Sequence, residues 1–257
     1  MIADDATIKR FDSDGVEIAY RLSGFGKPVL LIHGFASNHQ ASWVNTGWVK
    51  HLLSEGRQVI AIDNRGHGKS EKLYDKDVYG APNMAQDARR LLDHLGLDSA
   101  DVLGYSMGAR IAAFLAIEHG SRVRSVVFGG LAKGMISGIG ISEPIAKALE
   151  SPTTALLKDP KLIAYRRFAE MTGSDLKALA ACIRGARRKI SPEEISKVSC
   201  PALVAAGSKD DVAGSVMFLA NLIHGAQAFK IEGKNHMTSI GARSFKNAVS
   251  VFLRNVG

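Results

Sequence analysis

The sequence predicts an α/β protein. Its sheet is expected to be mainly parallel and doubly wound, with an antiparallel hairpin at the start and a helical cap inserted late in the chain. Three observations predict this. Over the first half of the 257 residues, short apolar runs alternate with helix-length segments, the pattern of strands joined by crossover helices. Most of these runs are apolar throughout, which suits strands covered on both faces. The alternation then stops over residues 132–198 and resumes afterwards, so one helical insertion interrupts a single core. A hydrophobic content of 46% over this length is enough to bury that core as one domain.

Residues 8–11 and 16–22 alternate around Asp12-Ser13-Asp14-Gly15 and predict the hairpin. Residues 28–32 (Pro-Val-Leu-Leu-Ile) form a buried strand ending in His33-Gly34-Phe35. Helical spacing covers 42–54, with Trp43, Val44, Trp48 and Leu52 facing inward. The next strand, 58–62, runs into Asp63-Asn64-Arg65-Gly66-His67-Gly68-Lys69-Ser70. A helix is expected over 83–94, capped by Asn83 with Gln86 as its capping-box partner and stopped at Gly96. The strand at 102–105, the helix at 109–118 and the strand at 123–128, closed by Gly129-Gly130, complete this half.

In the insertion, helices are expected near 143–150, 161–172 and 175–189. The Gly-rich stretch 134–140 is expected to be a mobile loop. Leu176, Leu179, Ile183 and Ala186 form one helix face, and Lys177, Arg184, Arg187 and Arg188 lie on the other. The pattern resumes with a strand at 202–206, a helix near 214–223, a strand at 228–231 and a last helix over 239–253. The domains are therefore core (1–131), helical insertion (132–198) and core again (199–257).

Composition excludes several classes. No apolar run is long enough to span a bilayer. The start, Met1-Ile2-Ala3-Asp4-Asp5, carries acid and lacks the regions of a signal peptide. Cys182 and Cys200 stand without CxxC or His spacing, so neither a disulfide framework nor a zinc site is expected, and a cytoplasmic location is. The net charge of +8 is spread in small clusters without interleaved aromatics, so no nucleic-acid or membrane partner is expected. No metal-ligand cluster or phosphate-binding glycine loop occurs, and no cofactor is expected.

The chemistry centres on Gly104-Tyr105-Ser106-Met107-Gly108. A G-x-S-x-G between a strand and a helix exposes its serine at the tip of a tight turn. A serine hydroxyl needs a base, and the base an orienting acid. Among eight histidines, His236 stands in a loop after the final strand, where open parallel sheets form their sites. His33 and His67 sit in turns and read as structural. His51, His94, His119 and His224 lie on or at helix ends. His39 remains a possible pocket residue. After the strand at 202–206, either Asp210 or Asp211 could orient the imidazole. The chain order Ser, Asp, His is that of an α/β-hydrolase triad.

With these residues in view, the sequence resembles the α/β-hydrolase family, of the small, soluble, bacterial serine esterase or lactonase type. His33-Gly34-Phe35 resembles its oxyanion turn. The loop 63–70 resembles its D-x-R-G-x-G-x-S motif. The elbow and the acid and base loops, Gly207-Ser208-Lys209-Asp210 and Asn235-His236, complete the match. The resemblance implies Ser106 as nucleophile, His236 as base and Asp210 as acid, three residues after the glycine that ends its strand. It implies the backbone N–H groups of Phe35 and Met107 as oxyanion hole, each worth on the order of 10²–10³ in rate. It makes Asp63 and Arg65 scaffold, and the insertion a cap over the site between strands six and seven. Ala109 departs from relatives that carry a second glycine there, which bears on packing. Serine at the nucleophile position argues against the dehalogenase and epoxide-hydrolase branches, which use aspartate, and the dienelactone branch, which uses cysteine. The absence of an HGGG run argues against esterases for bulky tertiary alcohols.

The expected function is hydrolysis of a small carboxylic ester or lactone through an acyl-enzyme. The alternatives are carbon–carbon bond hydrolysis or perhydrolysis with the same triad, or a slow-turnover ligand-binding or signalling module. The expected partner is a small-molecule substrate. The basic cap face is expected to be a solvated surface rather than an anion selector.

Overall fold

The apolar runs become strands: β1 (Ile8–Asp12), β2 (Glu17–Ser23), β3 (Pro28–Ile32), β4 (Gln58–Ile62), β5 (Ala100–Tyr105), β6 (Val123–Gly129), β7 (Ala202–Gly207) and β8 (Gln227–Ile231). In this computed structural model, which describes residues 7–138, 140, 142–186 and 188–256, they form one sheet in the order β1-β2-β4-β3-β5-β6-β7-β8. Arg187 and the acidic N-terminal residues 1–5 lie outside the described residues. β2 pairs antiparallel with β1 and β4, and the remaining pairs are parallel.

The helices are α1 (Trp48–Ser54), α2 (Ala81–His94), α3 (Met107–Glu118), α4 (Gly134–Ser137), α5 (Ser142–Glu150), α6 (Pro160–Met171), α7 (Leu176–Gly185), α8 (Pro192–Ile195), α9 (Val216–Ala220), α10 (His236–Ser239) and α11 (Arg243–Asn255). Both sheet faces are covered, which is why the central runs are largely apolar; the polar residues of β5 and β6, Asp101, Arg124 and Ser125, hydrogen-bond to one another. On one face Leu30, Ile32, Val102 and Val126 pack against α2 and α3 through Leu91, Ile111 and Phe114. On the other, Val29, Leu31, Leu103 and Val127 pack against α1 and α11 through Trp48, Leu52, Phe245 and Phe252. Among the described residues no helix is long and apolar enough to cross a membrane.

A third apolar cluster belongs to the helices between β6 and β7. Ile145, Ala146 and Leu149 of α5, Ala169 of α6, and Leu179, Ala180 and Ile183 of α7 pack around Ala36, which comes from the loop after β3. Arg184 ties α5 to α7 by pairing with both Glu143 and Glu150. Buried Arg110 of α3 donates to the carbonyls of Gly134, Met135 and Arg188. Both ends of the helical segment are thus held on the helix that follows the elbow.

Several boundaries differ from the sequence expectation. The helix expected over 42–54 is two pieces, a π-helical turn at Gln40–Val44 and α1, parted at Gly47, which adopts φ 79°. α2 starts at Ala81, two residues before the expected start, because Pro82 suits a first helical turn. Asn83 therefore does not cap it: its amide donates to the Asp77 and Val78 carbonyls, and Gln86 reaches His119. The expected mobile loop 134–140 contains α4, whose Gly134 N–H donates to the Ala213 carbonyl at 3.0 Å and whose carbonyls accept from Arg110. Residue 139 lies outside the described residues. The last helix is broken into α10 and α11, with Gly241 in the break. α7 ends at Gly185, short of the expected 189.

Candidate active site

β5 ends at Tyr105 and α3 begins at Met107, so Ser106 makes the turn between them, at φ 55° and ψ −114°. Such a conformation is strained for a residue with a side chain. The glycines around it are a steric necessity. A Cβ on Gly104 would lie 2.2 Å from the Gly108 carbonyl oxygen, and one on Gly108 would lie 1.9 Å from that of Ile32. Ser106 N–H donates to the Gly129 carbonyl at 2.8 Å, pinning the elbow to β6.

Three sequence-selected residues come together in series. Ser106 Oγ lies 3.0 Å from His236 Nε2, and His236 Nδ1 lies 2.9 Å from Asp210 Oδ2. With the Nδ1 proton donated to the carboxylate, Nε2 is left as the acceptor for the serine hydroxyl. The Asp210 side chain is fully buried, and His236 is 19% exposed. The other Asp210 oxygen accepts from the N–H groups of Val212, at 2.9 Å, and Ala213, at 3.0 Å. Those two donors hold the carboxylate rigid and compensate its burial. His236 opens α10, whose N-cap Asn235 exchanges side-chain hydrogen bonds with Thr238.

Tyr105 was not selected from the sequence, yet it touches His236. Its hydroxyl donates to the His236 carbonyl at 2.5 Å, and the two rings lie 5.6 Å apart. Its phenol is held strongly toward the neutral form, first by burial and then by the charge of Asp210. Gly129 and Gly130 exist for this ring: Cβ atoms there would lie 2.9 Å and 2.6 Å from its carbons. The glycine pair closing an apolar run was the available signal.

The turn after β3 lies beside the elbow because β3 and β5 are neighbours, with Ile32 opposite Gly104. This is where the strand order reverses, the usual place for a site in an open α/β sheet. Met107 is the first residue of α3, so its N–H has no partner within the helix. Among the described residues neither it nor Phe35 N–H meets a protein acceptor. His33 is structural: its ring pairs with the Gly34 carbonyl through Nδ1, and its Nε2 accepts from Asn64 N–H. Burial lowers its pKa, which keeps it neutral.

Other sequence candidates lie elsewhere. Asp211 is exposed and pairs with Lys161 at 3.0 Å. Asp63 accepts from the backbone and ring of His39 and from Lys69 N–H. Burial alone would push this carboxyl up, but the His39 hydrogen bond and nearby imidazoles outweigh it and lower it. His39 is thereby the partner of Asp63. Arg65 forms a bidentate pair with buried Asp87 and donates to the Val78 carbonyl. His67 is fully buried, and burial followed by the charge of His33 lowers it to about 3. His51 meets Ser250, and His94 stacks on Phe11. On the basic face, Arg188 pairs with Glu194 and lies over the Phe114 ring.

Comparison with known proteins places this geometry in context. The family described as alpha/beta hydrolase fold matches residues 27–139. A 2-hydroxymuconate semialdehyde hydrolase from a Pseudomonas species is 36% identical over 141 residues, covering 53% of this chain and 45% of that protein. A soluble epoxide hydrolase from a Corynebacterium species is 34% identical over 139 residues, again covering 53% and 45%. The chain thus spans about half the length of these curated relatives. The crystal structure of an enol-lactonase from Burkholderia xenovorans superposes with a TM-score of 0.81 at 22% identity, covering 96% of this chain and 100% of that one. At that identity the likeness concerns the fold.

Proposed function

The chain has the alpha/beta hydrolase fold, and from that premise we propose that it is a serine hydrolase cleaving a small carboxylic ester or lactone through an acyl-enzyme intermediate. The observation that carries the reading is the hydrogen-bonded series Ser106–His236–Asp210 at 3.0 and 2.9 Å. Serine at the elbow argues against the epoxide-hydrolase branch, despite the similarity to a protein named for that activity.

In this reading His236 Nε2 takes the Ser106 proton as Oγ attacks the carbonyl carbon. Asp210 stabilises the imidazolium through Nδ1. The oxyanion of the tetrahedral intermediate is held by the N–H groups of Phe35 and Met107. The intermediate collapses with His236 protonating the leaving alkoxide, which leaves an acyl group on Ser106. A water deprotonated by His236 then attacks the acyl carbon and releases the acid and free serine. Residues 132–198 act as a cap, and Phe35 and Tyr165, with ring centroids 6.4 Å apart, form part of an apolar wall where cap meets core.

The test combines labelling by a fluorophosphonate probe with turnover of short p-nitrophenyl esters, beside Ser106→Ala. We expect labelling on Ser106 and a loss of activity on the order of 10⁴–10⁶-fold on substitution. Wild-type protein that neither labels nor turns over would overturn the reading in favour of a binding module on the same fold. A second reading, hydrolysis of an activated carbon–carbon bond by the same residues, is favoured by the similarity to a hydrolase named for a semialdehyde rather than an ester. A kcat/KM for 2-hydroxymuconate semialdehyde well above that for any ester in the panel would select it.

A further inference from the structure

The loop that carries Phe35 is held from the cap side. Ala36 adopts φ 58°, a conformation that a residue with a Cβ does not keep unless its surroundings impose it. Its side chain is fully buried within the cap's own apolar cluster, among residues of α5, α6 and α7. Its carbonyl accepts from the hydroxyl of Thr172, at the α6–α7 junction, at 2.8 Å. Returning from the core, Asn38 Nδ2 donates to the Thr172 carbonyl at 3.4 Å, while Asn38 Oδ1 holds the N–H of Ala41. The alternative acceptor for Thr172, the Ala169 carbonyl, already receives the N–H of Ser174, and the Ser174 hydroxyl lies 2.9 Å from Thr172 Oγ1. With Ser174 donating inward, the Thr172 proton points to Ala36. On the other side of the loop, a Cβ on Gly34 would lie 3.3 Å from that of Ser106.

We propose that Thr172 is a positioning residue through which the docked cap sets the Phe35 N–H, so that the oxyanion hole is complete only while the α6–α7 junction sits on the loop after β3. The inference rests on the reading of Phe35 N–H as an oxyanion donor. Its physical basis is that a strained residue relaxes when its restraints go. Residue 36 is restrained by the turn hydrogen bond from Ser37 N–H to the Gly34 carbonyl at 3.3 Å and, from the cap, by the Thr172 hydrogen bond and by burial. Letting it relax rotates the Phe35–Ala36 and Ala36–Ser37 peptide planes, and the first of these hinges at the Phe35 Cα on the plane that carries the Phe35 N–H. The consequence falls on transition-state stabilisation rather than on substrate binding.

The experiment compares wild type, Thr172→Val, which keeps the shape and loses the donor, and Thr172→Ser, which keeps the donor. It reads kcat and KM on p-nitrophenyl esters, the affinity for phenylboronic acid, and the urea midpoint. The boronate forms a tetrahedral adduct on the serine whose oxygen occupies the oxyanion position. For Thr172→Val we expect kcat and boronate affinity to fall together, by roughly 10- to 100-fold, short of the cost of deleting an oxyanion donor. KM is expected to stay within about twofold, and Thr172→Ser to restore both losses. An unchanged kcat and boronate affinity in Thr172→Val overturns the inference while leaving the triad reading intact. A loss in Thr172→Val that raises KM instead, or that serine does not restore, also overturns it. Wild-type protein without fluorophosphonate labelling or ester turnover overturns the function on which it rests.

Discussion

Asp210 and Asp211 are adjacent in the chain and face opposite ways: Asp210 is buried with Oδ2 2.9 Å from His236, whereas Asp211 is exposed and pairs with Lys161. Only the first is hydrogen-bonded to the imidazole, and the proposed acid role falls to it. Asp210→Asn keeps the shape but removes the charge and invites the wrong imidazole tautomer, so kcat should fall by about 10⁴-fold, as in other serine triads. Asp211→Asn should leave kcat within about threefold, because it loses only a solvent-screened surface pair. Steady-state kinetics on the two variants checks this, and a larger loss in Asp211→Asn would reverse the assignment.

Ser106 combines a chemical group with a strained backbone, and the two can be separated. Ser106→Ala removes the hydroxyl and keeps the strain at φ 55°. Ser106→Gly removes both, at the cost of a more flexible unfolded chain. Both variants should be inactive. The glycine variant should nevertheless unfold at higher urea than the alanine variant, by on the order of 1 kcal/mol. Equal midpoints would mean that the elbow stores no more strain than the entropy glycine adds to the unfolded chain.

Acid should weaken the fold through its buried histidines. His67 has an ordinary pKa of 6.5 when unfolded and about 3 when folded, and His33 is shifted in the same direction by burial. Between those values the unfolded chain binds a proton that the folded chain does not. Stability is therefore full above pH 6.5 and is lost as the pH falls through the window, at up to about 1.4 kcal/mol per pH unit for each such group. Urea titrations from pH 7 to 4 should show this slope. His67→Gln should reduce it by about one proton. A midpoint that does not change over this range would contradict the burial of both rings.

The basic face of the helical segment between β6 and β7 should not select anionic substrates. Arg184 makes four hydrogen bonds to Glu143 and Glu150, and Arg188 is engaged by Glu194 and the Phe114 ring. Their charge is already answered within the protein. The ratio of kcat/KM for a carboxylate-bearing ester to that for a neutral ester of equal size should change by less than about threefold between roughly 20 and 300 mM salt. A steep decline with salt would show that the face attracts its substrate.

The sequence by itself determined the order of strands and helices, because a strand buried on both faces must be largely apolar and a crossover helix must carry one apolar stripe. β3 and β4 were legible to the residue for that reason. Ser106 was legible because a tight strand-to-helix turn demands glycine two residues to either side. Helix ends were less so. Asn83 has the chemistry of a cap, but Pro82 and packing began α2 earlier. Gly134 looked like flexibility and is a close contact, where a Cβ would lie 2.8 Å from the Val212 carbonyl oxygen. The resemblance already pointed to Asp210 rather than Asp211; only the tertiary structure showed their opposite burial, brought Tyr105 onto His236 and seated Ala36 among the helices between β6 and β7. Each of those contacts joins segments far apart in the chain, and their partners are chosen by the sheet order that sets β3 beside β5 and β7 beside β8. No local pattern encodes which strand ends will be neighbours: the joint action of Ser106, Asp210 and His236 was implied by resemblance, and the contacts of Tyr105 and Ala36 were not visible at all.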